Sequence, residues 1–390
     1  MTGEFNGELM DNSAIHNCTA PTAEAPIAHI YVHIPFCARI CPYCAFYKER
    51  ADPAHAQRFC HALLRELENG ASQFDLRPRT IFFGGGTPSA LSKSDLQVLL
   101  AGFRDKLDLA ELVEWTLEAN PGSVSAAKAQ LLRDAGVNRI SLGVQSWDDG
   151  LLNVLGREHN AAQAKLSFHI LRGAGFTNLN IDLMFGLPGQ TLAQWEATLA
   201  RTLALQPEHI SAYCLTYEED TEFFLRHARG ELREDTEIDA TFFETAMQIL
   251  EAGGYEQYEI SNYARAGFAS HHNRAYWAGA HYIGLGPSAF STVGMQRWQN
   301  VPDYRIYADR LHRGESARHT TEPLSAVTKR GESIALSLRT NTGVPAAWLE
   351  AWPEERDEFI SLDLLRESRG QITLTPKGKL LADSVAEAFV

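Results

Sequence analysis

The chain has 390 residues, 45% of them hydrophobic, and a formal net charge of -14. This length buries a large core and suggests about two or three domains, although barrels run long as single units. The acidic balance argues against nucleic acid as the main partner, no run of about 18 apolar residues is present to span a membrane, and the six cysteines do not have the pattern of a disulfide framework.

Residues 1–26 read as a mobile polar tail with one unligated thiol, Cys18, and no apolar run of signal-peptide type. A reduced, cytoplasmic protein is expected. From Ile27 the pattern becomes regular. A strand over 27–34 runs into a cysteine loop. A helix follows over 53–70, with Cys60 in its core-facing stripe. A strand over 79–83 ends in Gly84-Gly-Gly-Thr-Pro88, and Ser92 or Ser94 caps the next helix, which runs to Arg104. A strand over 113–118 precedes Ala-Asn-Pro-Gly122. A helix over 124–135 stops at Gly136. A strand over 138–144 ends in Gln145-Ser146. Helices over 148–155 and 160–173 lead to a strand over 177–184. A helix over 191–204 and a strand over 208–215 complete six units. Strands alternating with helices imply parallel pairing and right-handed crossovers. Six units suit an open (β/α)6 partial barrel, an α/β fold. A second region starts near 235, with a helix over 236–253 and a Tyr-rich strand at 255–260. Beyond 323 a small helical domain is expected, within an α+β C-terminal region, and its end, Ile372-Thr-Leu-Thr-Pro-Lys-Gly378, reads like the wing of a winged helix. The expected division is therefore a tail over 1–26, a barrel over 27–235 and a C-terminal region over 236–390.

The cysteine loop carries the most specific chemistry. Cys37, Cys41 and Cys44 have the spacing C-x3-C-x2-C, with no fourth cysteine close behind. An iron–sulfur cube with four thiolates only carries electrons. Three thiolates leave one iron open, and S-adenosylmethionine (SAM) fills that position through its amino and carboxylate groups. Zinc is the alternative, but a structural zinc wants four N/S ligands and a different spacing. Tyr43 and Phe46 give the loop aromatic cover. The glycine run at 84–86 lets backbone approach a ligand such as the SAM amino group, or else makes a tight turn. Glu118, Gln145, Arg157 and Asp182 fall at or just after strand ends, which in barrels is the catalytic face. Acids suit an ammonium or a ribose diol, and an arginine fork suits a carboxylate. A separate stretch, Ser270-His-His-Asn-Arg-Ala-Tyr-Trp277, puts imidazoles beside flat apolar surface, and a structural loop with a half-buried histidine is its plainer reading. Ile283-Gly-Leu-Gly-Pro-Ser-Ala-Phe-Ser291 reads as a flexible turn able to fold against the barrel mouth.

Taken in order, Tyr31-Val-His-Ile-Pro-Phe-Cys, the cysteine loop, Gly-Gly-Gly-Thr-Pro, Glu-Ala-Asn-Pro-Gly, Ser-Leu-Gly-Val-Gln-Ser, Leu-Gly-Arg-Glu-His and Asp-Leu-Met-Phe-Gly-Leu-Pro-Gly-Gln-Thr resemble the radical SAM family of oxygen-independent coproporphyrinogen III oxidase. The resemblance covers residues 27–390. It implies a 4Fe-4S cluster on Cys37, Cys41 and Cys44, and SAM contacts from Tyr31, Gly85 and Glu118 with Phe290 as a cap. It also implies a second SAM site at Tyr43, Gly86, Thr87, Gln145, Arg157 and Asp182. Two features depart from the oxidase: Phe46 stands where it has a further cysteine, and the N-terminal segment is short and polar. Both are shared with the haem-chaperone branch of the family, called HemW. That branch also has an H-N-x-x-Y-W motif, matched by His272, Asn273, Tyr276 and Trp277, and a neutral imidazole is a standard haem ligand. The resemblance thus implies haem as a ligand, a haem-acceptor protein as partner, and a reductant such as flavodoxin or ferredoxin. The alternative is a radical enzyme, either the oxidase itself or a methyltransferase, acting through a 5′-deoxyadenosyl radical.

Overall fold

The computed structural model describes residues 26–390; the expected tail, including Cys18, lies outside them apart from Pro26. Six parallel strands form the body of one sheet: β1 (Ile27–Ile34), β2 (Leu76–Gly85), β3 (Glu114–Ala119), β4 (Arg139–Gln145), β5 (Leu179–Phe185) and β6 (His209–Cys214). The helices between them are α1 (Pro53–Gln73), α2 (Lys93–Lys106), α3 (Ala126–Ala135), the pair α4 (Asp149–Val154) and α5 (Ala161–Gly173), and α6 (Leu192–Leu205). Their starts follow from local chemistry. Asp52 and Ser92 accept backbone N–H bonds at the first turns of α1 and α2. Asn160/Gln163 and Thr191/Gln194 make reciprocal capping boxes at α5 and α6. Gly136 ends α3 in the left-handed region, at φ 104.

Three more strands extend this sheet. β7 (Glu256–Glu259) and β8 (Asn262–Ala264) form a hairpin added antiparallel to β6. β9 (Ile283–Leu285) pairs parallel with β1. The order is β9-β1-β2-β3-β4-β5-β6-β8-β7, so the sheet has two ends and the barrel is open. The flexible turn expected at 283–291 is therefore corrected: its start is a strand. Three residues are too few to show alternation, and the glycines serve close packing. A Cβ on Gly284 would lie 2.0 Å from the Phe290 carbonyl oxygen.

The strands are two-faced. Ile30, Val32, Phe83, Trp115, Leu117, Ile140 and Leu142 are buried in the main hydrophobic core with Leu63, Leu99, Phe103 and Leu132 of the helices. The alternate residues are polar: Tyr31 and His33, Thr80, Glu114, Thr116 and Glu118, Arg139 and Ser141, Asn180 and Asp182, His209 and Ser211. They bond one another across the concave side. Asn180 donates to Ser141 at 2.6 Å, to Asp182 at 2.7 Å and to Ser211 at 2.9 Å. The barrel thus has an apolar outside under helices and a polar lumen.

Beyond β6 come α7 (Glu222–Ala228) and α8 (Thr236–Ala252). Phe242, Phe243 and Leu250 of α8 join the main core, as do Trp298, Tyr304 and Tyr307 further on. A second core, with Ile334, Leu338, Val344, Ile372 and Phe389, gathers helix 326–338, helix 382–387 and a small antiparallel sheet. Of the stretch read as a wing, Ile372–Leu374 pairs with Leu365–Glu367 in an antiparallel hairpin, and Pro376–Lys379 is a helical turn. Residues on either side of the boundary expected near 235 share one sheet; the second core begins only near 326. Among the described residues, no helix is long and apolar enough to cross a membrane.

One half-buried carboxylate pins the open edge. Glu66 of α1 accepts bonds from Gly286 N at 2.8 Å, the Tyr307 hydroxyl at 2.5 Å and Asn300 Nδ2 at 2.6 Å. Burial raises its pKa from 4.5 to about 7 despite these donors. The folded chain therefore holds this proton more tightly than the unfolded chain. The resulting stability is fully present below pH 4.5 and is lost as pH rises toward 7, by no more than about 3 kcal/mol. Glu66→Gln should fold and remove this decline. Urea denaturation at pH 5 and pH 8 checks it; an unchanged pH slope would assign the decline elsewhere.

Candidate functional site

The site is built where β1 ends. Ile34 and Phe36 carbonyls accept bonds from Gly86 N at 2.9 Å and Thr87 N at 2.8 Å, so the glycine turn after β2 is sewn to the start of the cysteine loop. The glycines are required here by packing. A Cβ on Gly86 would lie 2.6 Å from the Pro35 carbonyl carbon, and one on Gly85 would lie 2.6 Å from the His33 ring. The close approach that Gly85 and Gly86 allow here is between chain segments. The far side of the loop is held by Glu49 N on Pro35 O at 2.7 Å and Ala51 N on Cys37 O at 2.9 Å. His33 reaches across to Tyr47 O at 2.8 Å, and Lys48 donates to the Cys44 carbonyl.

All three loop thiols are free. Cys37 is buried and lies 3.6 Å from the Thr87 hydroxyl; burial, the largest effect, pushes its thiol up to about 11. Cys44 is raised by burial as well. Cys41 lies 3.7 Å from Arg157 Nη1. Among the described residues no three His, Cys, Asp or Glu side chains converge on a point where a single ion would sit. A cube takes each thiolate on a different iron and needs no such convergence. The donor set fits a cluster: three soft ligands in one loop, partly covered, with a cation at hand to balance thiolate charge.

Above the lumen, several of the expected residues come together. Arg157 Nη2 donates to Asn120 Oδ1 at 2.7 Å and to the Gly143 carbonyl at 2.8 Å, while Asn120 Nδ2 donates to Thr87 at 2.9 Å. Gln145, strained at φ 66, brings its amide to the same glycine: a Cβ on Gly143 would meet Asn120, Gln145 and Arg157 within 3.4 Å. Tyr43 is half-buried, bonded to Arg157 and packed on Phe223. Glu118 accepts the Gly85 N–H at 3.2 Å. Burial and then the neighbouring Asp182 raise Glu118 to about 8, and burial also raises Asp182. Two carboxyls facing one lumen are thus poised to meet a cation. Tyr31 bonds His33 Nδ1 at 3.1 Å and stacks on Phe82. Phe290 is 45% exposed, and Phe46 is 69% exposed. Asn120 and His33 were missed as site residues. The signal for Asn120 was its place right after a strand end, inside the quoted Glu-Ala-Asn-Pro run; for His33 it was strand alternation with Tyr31.

The H-N-x-x-Y-W residues lie elsewhere. They form α9 (His271–Trp277), which seats its start on Glu114 at the beginning of β3, the opposite end of the lumen from the cysteines. Glu114 accepts from His271 N at 2.8 Å, His272 N at 3.0 Å and Ser270 at 3.1 Å. His272 is 9% exposed, lies over the Phe82 ring and has Nδ1 2.8 Å from the Thr80 hydroxyl. His29 Nδ1 meets the same hydroxyl at 2.9 Å. That hydroxyl has one proton, so one imidazole accepts it and the other donates. Burial holds both imidazoles neutral, with pKa values near 4. Asn273 is half-buried, Tyr276 is exposed, and Trp277 lies under Arg339 at 5.0 Å.

Comparison with known proteins adds to this geometry. Residues 31–202 match the model of the radical SAM superfamily. The chain is 37% identical to the heme chaperone HemW of Bacillus subtilis over 92% of this chain and 98% of that protein. It is 35% identical to HemW of Escherichia coli over 94% and 98%. A zebrafish protein, radical S-adenosyl methionine domain-containing protein 1, mitochondrial, is 35% identical over 81% of this chain and 74% of its own. Among solved structures, coproporphyrinogen III oxidase (HemN) from Escherichia coli superposes with a TM-score of 0.82 at 24% identity, covering 97% of this chain and 92% of that one. At that identity the likeness is one of fold.

Two outcomes follow from the contacts. Arg157→Lys keeps the charge but has a single point donor for Asn120, Gly143 and Cys41. It should take up iron and sulfide, then lose it to a chelator several-fold faster than wild type, as followed by visible absorption; equal rates would remove Arg157 from cluster support. His272→Ala should cost about 2–3 kcal/mol in urea unfolding, because it leaves a cavity and a half-satisfied Thr80. Tyr276→Ala, on the exposed side, should cost under about 0.5 kcal/mol. Equal costs would refute the packing role of His272.

Proposed function

The chain belongs to the HemW family within the radical SAM superfamily, and from this we propose that it is a haem chaperone, which binds haem and passes it to an acceptor protein. What carries this reading is the end-to-end likeness to proteins named heme chaperone, over 98% of their length. Phe46 supports it. It puts an exposed ring where the oxidase has a cysteine, so the loop offers a cluster three thiolates and no neighbouring thiol.

In this proposal Cys37, Cys41 and Cys44 hold a 4Fe-4S cluster. Tyr31, Gly85 and Glu118 hold SAM, with Phe290 over it, and Tyr43, Gly86, Thr87, Gln145, Arg157 and Asp182 form a second polar set. When bound, the cluster and SAM supply redox and radical chemistry. The chain supplies charge and position. Glu118, neutral near pH 7 through burial, ionises beside an incoming ammonium, since an opposite charge favours its charged form. Arg157 holds Asn120, and through it Thr87 beside Cys37, so one chain of hydrogen bonds joins the loop to the lumen. A cytoplasmic location and a flavodoxin or ferredoxin as reductant belong to the same proposal. Residues 27–235 would carry the cluster and the SAM contacts other than Phe290, and the region from 236 would carry haem.

The alternative is an oxygen-independent coproporphyrinogen III oxidase or another radical SAM enzyme. One preparation decides between them. Reconstituted anaerobically, it should bind ferric haem with a shifted Soret band in the absence of reductant, and with SAM and reductant added it should yield no stoichiometric protoporphyrinogen from coproporphyrinogen III. Product formation would overturn the chaperone reading.

A further inference from the structure

Helix α9 has two chemical faces. His272 and Tyr276 lie on one, toward His29 and Tyr282. His271 and Arg274, three residues apart and so adjacent on the helix surface, lie on the other. With Glu256, Tyr258 and Arg265 they line a cleft of about 140 Å³. His271 and Arg274 are exposed. The Arg265 guanidinium lies 5.3 Å over the Tyr255 ring, and its Nε is buried without a hydrogen-bond partner. Among the described residues neither guanidinium is paired with a carboxylate. Two unneutralised arginines, an accessible imidazole and one acid, Glu256, therefore face a single cleft.

The motif's own histidine is badly placed to meet a metal. His272 has Nδ1 bonded to Thr80 and its ring packed on Phe82, so it reaches iron only if α9 leaves Glu114. His271 needs no such movement. Haem carries an iron that takes imidazole and two carboxylates on one edge, and arginine forks bind carboxylates in bidentate pairs. The cleft is far too small for the macrocycle and suits the carboxylate edge. The rest of the ring would stay outside, where an acceptor can reach it.

We propose that His271, with Arg265 and Arg274, forms the haem-docking site of this chain: His271 ligates the iron and the two arginines hold the propionates. This rests on the haem-chaperone reading above and deepens it. The test is titration of the full chain with ferric haem and with its dimethyl ester, which lacks the carboxylates, followed by absorption and electron paramagnetic resonance. His271→Ala and His271→Gln should lose the imidazole-ligated spectrum and bind at least about tenfold more weakly. Arg265→Gln with Arg274→Gln should bind haem about tenfold more weakly with the axial spectrum kept, and wild type should bind the ester as weakly as that double variant binds haem. His272→Gln should keep the wild-type spectrum. If wild type binds haem and both His271 variants match it in spectrum and affinity, this assignment is wrong while the chaperone reading stands. If wild type binds no haem, the chaperone reading fails first.

Discussion

The close contact between the end of β1 and the glycine turn after β2 is what the rest of the site depends on. Backbone meets backbone there: Gly86 and Thr87 donate to Ile34 and Phe36, with no space for a Cβ on Gly86. This fixes where Cys37 leaves the sheet, since Cys37 follows Phe36 directly and lies against Thr87. Thr87 is in turn held by Asn120 and, through it, by Arg157, which reaches Cys41. A loop with three thiols gains its geometry from a strand junction and a chain of hydrogen bonds, before any inorganic group is considered.

The second feature that organises the molecule is the polarity of its lumen. Parallel barrels usually fill their interior with branched apolar side chains. Here the concave side carries Glu114, Glu118, Arg139, Asp182 and His209. Such groups are costly to bury unless they bond one another or meet a ligand. At one end Glu118 and Asp182 face the cysteine side with raised pKa values. At the other end α9 closes the lumen, with Glu114 holding its first backbone N–H groups. The two motifs that stood out in the sequence are thus at opposite ends of one polar column, tied to the same sheet.

That separation bears on how the proposed handover of haem works. A cluster and SAM at one mouth and haem at the far end would be coupled through the sheet, not through direct contact. An exposed docking site also suits a ligand that has to be released to another protein.

Much was legible in the sequence. The six strands, their helices, the Ser92 and Gly136 caps, the α/β class and the cysteine loop followed from periodicity, from these capping residues and from cysteine spacing, which are local properties. Ordered motifs were enough to place the family. What only the tertiary structure decided is non-local. Three-residue β9 looks like a glycine turn until β1 gives it a partner. The Gly84–Gly86 run reads as a ligand cradle or a tight turn, and only the fold brings the Pro35 backbone and the His33 ring against it. His271 and His272 are indistinguishable as letters, yet one turns into the lumen onto Thr80 and the other into an arginine-lined cleft. A helix rotates neighbouring residues by about 100°, and which of the two becomes buried depends on where Glu114, some 150 residues earlier in the chain, anchors the helix start.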